Sequence, residues 1–184
     1  MSDAIRMTRR DARAAMRTAG IILAGVAILT VSAKVHVPSW PVPMTLQTLA
    51  VMAIALATGP RLATATFLAY LAAGAMGMPV FSGTPERGVG LPYMLGPTGG
   101  YLLGMLGASW SAGALARGRG TVGRVGAMLV GLAVLYGAGL AWLALFVPLA
   151  RVVEVGLLPF VLGDLIKIAV VALAARAIAG PGRG

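Results

Sequence analysis

"LPFVLGDLIKIAVVALAARAIAG", residues 158–180, is apolar enough and long enough to cross a bilayer, yet it carries Asp164 and Lys167. At a rise of about 1.5 Å per residue, a helix starting near Pro159 puts Asp164 about 8 Å and Lys167 about 12 Å along it. Three residues apart, the two share a helix face and can meet. Ionisable groups at such depth turn into a bundle or a wet cavity, away from lipid. One reading is a self-neutralising pair that fixes helix packing. The other is a polar site at a cavity mouth, with one acceptor and one cationic donor, where Pro159 and Gly163 bring backbone close.

The rest of the chain makes the membrane setting firm. Of its 184 residues 59% are hydrophobic and 11% charged, and its mean hydropathy is +0.91. A soluble domain of this size cannot hide so much apolar surface, so the fold class is all-α, a polytopic membrane protein. The formal net charge is +10, but the basic residues gather at segment ends without an aromatic-basic surface. That pattern points to membrane topology and not to nucleic acid. Cysteine is absent, which excludes disulfides, iron–sulfur clusters and thiol catalysis. One His and five acids leave little for a metal site, and no motif calls for a cofactor.

Apolar runs fall at 19–33, 44–58, 62–77, 98–116, 125–147 and 159–179, behind a basic leader over 1–18 that is read as cytoplasmic. The second and third runs are split only by "GPR" at 59–61, where Gly and Pro break a helix and Arg61 marks an interface. The expectation is therefore a single integral-membrane domain over 1–184, a six-helix bundle with both termini cytoplasmic. Five spans with one re-entrant piece is the competing count. With the N-terminus inside, eleven basic residues lie in inner segments, and three, Lys34, Arg87 and Arg151, lie in outer loops. This bias supports six spans. The outer segments are rich in Pro, Gly and aromatics, so function is expected on that face.

Other polar residues converge there. "VPMTLQTL" (42–49) brings Thr45, Gln47 and Thr48 to the start of a span, just after Trp40. Gln both donates and accepts, whereas one of the hydroxyls is expected to cap the helix. Arg87, in mid-loop, can meet an anion bidentately or stay solvated. "GPTGGYLLG" (96–104) spaces Gly96, Gly100 and Gly104 by four, which signals close helix packing, and places Tyr101 on the first turn. The only histidine, His36, reads as structural, and Arg151 with Glu154 reads as a solvated pair.

Together, "VPMTLQTLAVMAIALATGPRLA" (42–63), "GMPVFSG" (77–83), "GPTGGYLLG" (96–104) and "LPFVLGDLIKI" (158–168) resemble the BioY family, the biotin-specific substrate-binding subunits of energy-coupling factor transporters. The resemblance implies a six-helix bundle in the bacterial inner membrane that captures biotin from outside. It also implies a transmembrane coupling subunit and two cytoplasmic ATPases as partners, with solitary or homo-oligomeric action in some relatives. It makes Asp164, Lys167 and Arg87 ligand-site residues. The residues read by themselves fit such a guest, with Gln47 and Thr45 nearby and Tyr101, Phe81 and Trp40 able to cover its apolar rings. Ala15 and Ala19, spaced by four, match the family's contact with the coupling subunit, although alanines are common in this chain. The chain departs from the family with Leu162 where relatives have Pro, and with a longer, more charged loop around Arg87.

Two alternatives belong beside this reading. An intramembrane hydrolase would need Ser109 of "GASW" as nucleophile, and neither the following glycine nor a base accompanies it. A binding subunit for another vitamin differs only in the motifs above. The phosphate loop G-x-x-x-x-G-K-[ST] does not occur, so no ATPase motif is carried here.

Overall fold

A computed structural model describes residues 2–37, 42–82 and 89–179. The chain is mostly helical: α1 (Ser2–Lys34), α2 (Gln47–Ala75), α3 (Leu91–Leu95), α4 (Gly99–Leu115), α5 (Thr121–Leu143), α6 (Leu149–Gly156) and α7 (Leu158–Ala179). Among the described residues, four stretches are long and apolar enough to cross a membrane: Asp11–Lys34, Gln47–Ala75, Thr121–Leu143 and Leu149–Ile178. Of the leader expected over 1–18, residues 2–18 are helical and continuous with the apolar stretch that follows.

The all-α expectation holds as a mostly helical chain, with one small strand pairing added. Strands β1 (His36–Val37) and β2 (Met44–Thr45) pair antiparallel, His36 opposite Thr45 and Val37 opposite Met44. The sequence places residues 44–46 at the head of the second span, but the helix begins at Gln47. Pro43 biases Val42 before it toward extended backbone, so the chain enters β2 extended and winds only from Gln47. Short helices α3 and α6 are further additions.

Helix α2 is two helices in one run. Gly59 has φ 77° and ψ 175°, a backbone state that only glycine adopts cheaply, and Pro60 cannot donate to the turn before it. The chain folds back there. Gln47, early in the first half, lies beside Tyr70, late in the second. In one straight helix those residues would stand about 35 Å apart. This is the break that "GPR" predicts.

The bundle has two distinct ends. Gly113, late in α4, abuts Pro60, and the Arg117 guanidinium lies against Gly59, so one end gathers Arg61, Arg117 and the start of α5. At the other end, the first turns of α4 meet the last turns of α5. A side chain on Gly100 would strike Trp142, and a Cβ on Gly104 would sit 2.5 Å from the Leu135 carbonyl oxygen. The four-residue glycine spacing is thus a packing seam, as expected. The Lys34 Nζ donates to the Phe81 carbonyl at 2.6 Å, which brings the end of α1 to this second end as well.

Candidate functional site

Asp164 and Lys167 occupy the second and third turns of α7 and are 3% and 9% exposed. Lys167 Nζ donates to Asp164 Oδ1 at 2.7 Å. It also donates to the Thr45 carbonyl oxygen at 2.7 Å. The Tyr136 hydroxyl of α5 donates to Asp164 Oδ2 at 2.6 Å. The pair is therefore braced from two sides, by strand β2 and by α5.

A cavity of about 40 Å³ opens beside the pair. Gln47 and Thr48 line it from α2, Tyr101 from α4, Tyr136 from α5, and Phe160, Asp164 and Lys167 from α7. Thr45 and Ser82 contribute from the connecting segments. The two readings of the pair merge: it is closed on itself and it also faces a cavity.

Counting hydrogen-bonding capacity shows what remains unspent. An ammonium has three donors, and a carboxylate has about four lone-pair sites. Lys167 uses two donors, and Asp164 uses one site on each oxygen. The Gln47 Nε2 is buried without a partner among the described residues. A buried amide left unmatched costs about 1–3 kcal/mol, so the site favours a guest that accepts from it. What the cavity offers is an acceptor beside a cationic donor, plus a free amide, under apolar walls.

The other expected site residues take varied places. Thr45 reaches the site through its backbone, while its hydroxyl accepts from the Gln47 N–H at 3.2 Å in a local turn; the N-cap is Leu46 and no side chain caps the helix, contrary to the capping expected of these hydroxyls. Tyr101 lines the cavity with its ring and donates its hydroxyl to the Gly156 carbonyl at 2.7 Å. Phe81 is buried outside the cavity lining, stacked on Tyr93 with centroids 5.1 Å apart. Its neighbour Ser82 lines the cavity and shares a 2.7 Å hydrogen bond with the Tyr93 hydroxyl. Trp40 and Arg87 lie outside the described residues. Ala15 and Ala19 are exposed on α1, away from the cavity.

Sequence reasoning missed Tyr136. Its signal was a lone hydroxyl-bearing ring in the apolar run "VGLAVLYGAGLAWL" (130–143), a group that must find a partner when buried. Ser109 is no nucleophile: it is 2% exposed and its hydroxyl donates to the Met105 carbonyl at 2.8 Å. Arg151 and Glu154 pair at 3.6 Å with both side chains more than half exposed, the solvated pair expected.

Among solved structures, the S-component for biotin from an ECF-type ABC transporter superposes with a TM-score of 0.78, covering 92% of this chain and 94% of that one at 24% identity. That likeness establishes the fold. In sequence, the chain is 39% identical to the "Probable biotin transporter BioY" of Pyrococcus horikoshii, over 84% of this chain and 91% of that protein. It is 36% identical to the "Biotin transporter BioY" of Thermotoga maritima, over 84% and 92%. Residues 6–181 match the BioY family as a whole. The chain belongs to the BioY family.

Proposed function

We propose that this chain is the substrate-binding subunit for biotin uptake and takes biotin from the outer face of the membrane. The observation that carries this reading is the unspent capacity of Asp164 and Lys167 beside a cavity. Biotin's ureido ring holds a carbonyl flanked by N–H groups. The carboxylate accepts from an N–H, and the third ammonium proton goes to the carbonyl. Thr45 fixes Lys167, Gln47 supplies a further donor, and Tyr101 covers the apolar ring. Phe81 acts through Tyr93 to hold Ser82 in place. Arg87 and Trp40 complete the set as candidates for the valerate carboxylate and for ring cover.

The cavity of about 40 Å³ has room for only a few waters at about 10–15 Å³ each, so a bicyclic guest must widen it. The chain forms one membrane domain over 1–184, with six spans once α2 is counted as two, and its termini lie in the cytoplasm of a bacterial inner membrane. Supporting this are the eleven-to-three distribution of basic residues and the reversal at Gly59. ATP hydrolysis resides on partner subunits, two ATPases joined through a transmembrane coupling subunit, with homo-oligomers as the alternative mode.

Calorimetry of the purified chain against biotin, with riboflavin and thiamine as controls, tests the reading; a wild-type chain that binds a control and ignores biotin would sink it. Two variants refine it. Tyr136→Phe removes a hydrogen bond to a charged acceptor, worth about 1.5–3 kcal/mol, and is expected to weaken biotin binding at least about tenfold. Unchanged affinity would limit Tyr136 to packing. Ala15→Trp is expected to abolish ATP-driven uptake in the assembled transporter while leaving biotin affinity intact; normal uptake would remove Ala15 from the partner contact.

A further inference from the structure

We propose that a trough between α2, α5 and α7 holds one acyl chain of an anionic phospholipid, with the lipid phosphate on Arg124. The trough encloses about 430 Å³ and is separate from the ligand cavity, sharing no lining residue with it. Leu49, Ala53 and Ala57 line it from the first half of α2, and Val170, Ala174 and Ile178 from α7. Each set recurs every four residues, so each wall is one helix face. Eight residues of helix span about 12 Å, close to the depth of one leaflet of a ~30 Å hydrocarbon core. Alanines lower its floor between larger side chains.

Arg124, from the first turn of α5, is the only charged residue in the lining among the described residues. An apolar slot with a cation at one end complements an amphiphile with an anionic head. The surrounding charge points the same way. Arg61, Arg117, Arg119, Arg124 and Arg176 gather at this end of the bundle, and none pairs with a carboxylate among the described residues. The two ion pairs among the described residues, Arg151–Glu154 and Lys167–Asp164, lie at the ligand end. Anionic lipids in the cytoplasmic leaflet attract basic residues by about 1 kcal/mol each, and the proposal rests on the reading that this end faces the cytoplasm.

Native mass spectrometry of the detergent-purified chain tests the site, with phosphatidylglycerol and phosphatidylcholine of identical acyl chains as probes. Wild type is expected to retain one phosphatidylglycerol in preference to phosphatidylcholine. Arg124→Gln should lower that retention about fivefold, and Ala174→Trp, which fills the trough, should lower it comparably. Arg119→Gln should leave it unchanged, and thermal midpoints should match wild type throughout. Equal retention of the two lipids would overturn the proposal. So would an Arg119→Gln loss as large as that of Arg124→Gln, which would mean diffuse surface attraction, or displacement of the lipid by glycerol phosphate, which would mean headgroup binding alone. Absence of any retained lipid would also overturn it and leave the trough to a helix of the coupling subunit or of a second copy. Lipid retention is read without biotin, so it stands or falls separately from the transport reading.

Discussion

Asp164→Asn is expected to bind biotin at least about a hundredfold more weakly than the wild-type chain while remaining folded in detergent. The substitution keeps the side chain's shape and removes its charge. Hydrogen bonds to charged groups contribute about 1.5–3 kcal/mol each, and the loss of a charge-assisted acceptor for a ureido N–H accounts for most of that factor. The rest comes from Lys167, 2.7 Å from the carboxylate, which loses the partner that holds it in line. Asparagine is the better test than alanine because its amide oxygen can still accept from Lys167, whereas truncation removes that hydrogen bond as well, at about 1–3 kcal/mol, and confuses folding with binding. The measurement is calorimetric titration with biotin, paired with a thermal melt. Wild-type affinity in a folded Asp164→Asn protein would return the pair to a packing role.

Gly104→Val is expected to destabilise the bundle by forcing open the seam between α4 and α5. A Cβ at residue 104 meets the Leu135 carbonyl oxygen at 2.5 Å and the Leu135 Cα at 2.8 Å. Both are backbone atoms, so no side chain can swing away, and the two helices must part. Overpacking of this kind costs about 1–3 kcal/mol, equivalent to a midpoint lower by about 2–12 °C for a chain of this size. Leu135 adjoins Tyr136, so the same displacement pulls the hydroxyl away from Asp164, and biotin affinity should drop with stability. Gly137→Ala is the control, because nothing lies within 4 Å of a Cβ there. Equal melting of Gly104→Val and wild type would show that the seam yields.

Tyr101 shows why single residues resist assignment from sequence. Its ring is at the cavity, as its place on the first turn of α4 predicts, yet its hydroxyl is engaged with Gly156, 55 residues away. Phe81 shows the reverse. An aromatic in an outer loop reads as ring cover, but Gly74 leaves space for it in a cluster with Tyr70 and Tyr93. Nothing in the sequence around Gly74 names that neighbour.

The sequence by itself determined the membrane setting, the break at Gly59–Pro60, the glycine seam of α4 and the meeting of Asp164 with Lys167. Each of these follows from local covalent geometry or from hydropathy, which act within one turn or one span. Only the tertiary structure decided that Tyr136 holds the carboxylate and that Lys167 spends a proton on the Thr45 carbonyl. It also decided that residues 44 and 45 form a strand and that Phe81 packs behind the cavity wall. The physical reason is separation along the chain. A backbone carbonyl is the same group at every position, so nothing in the residue alphabet singles out Thr45, 122 residues from Lys167, until packing brings the two together.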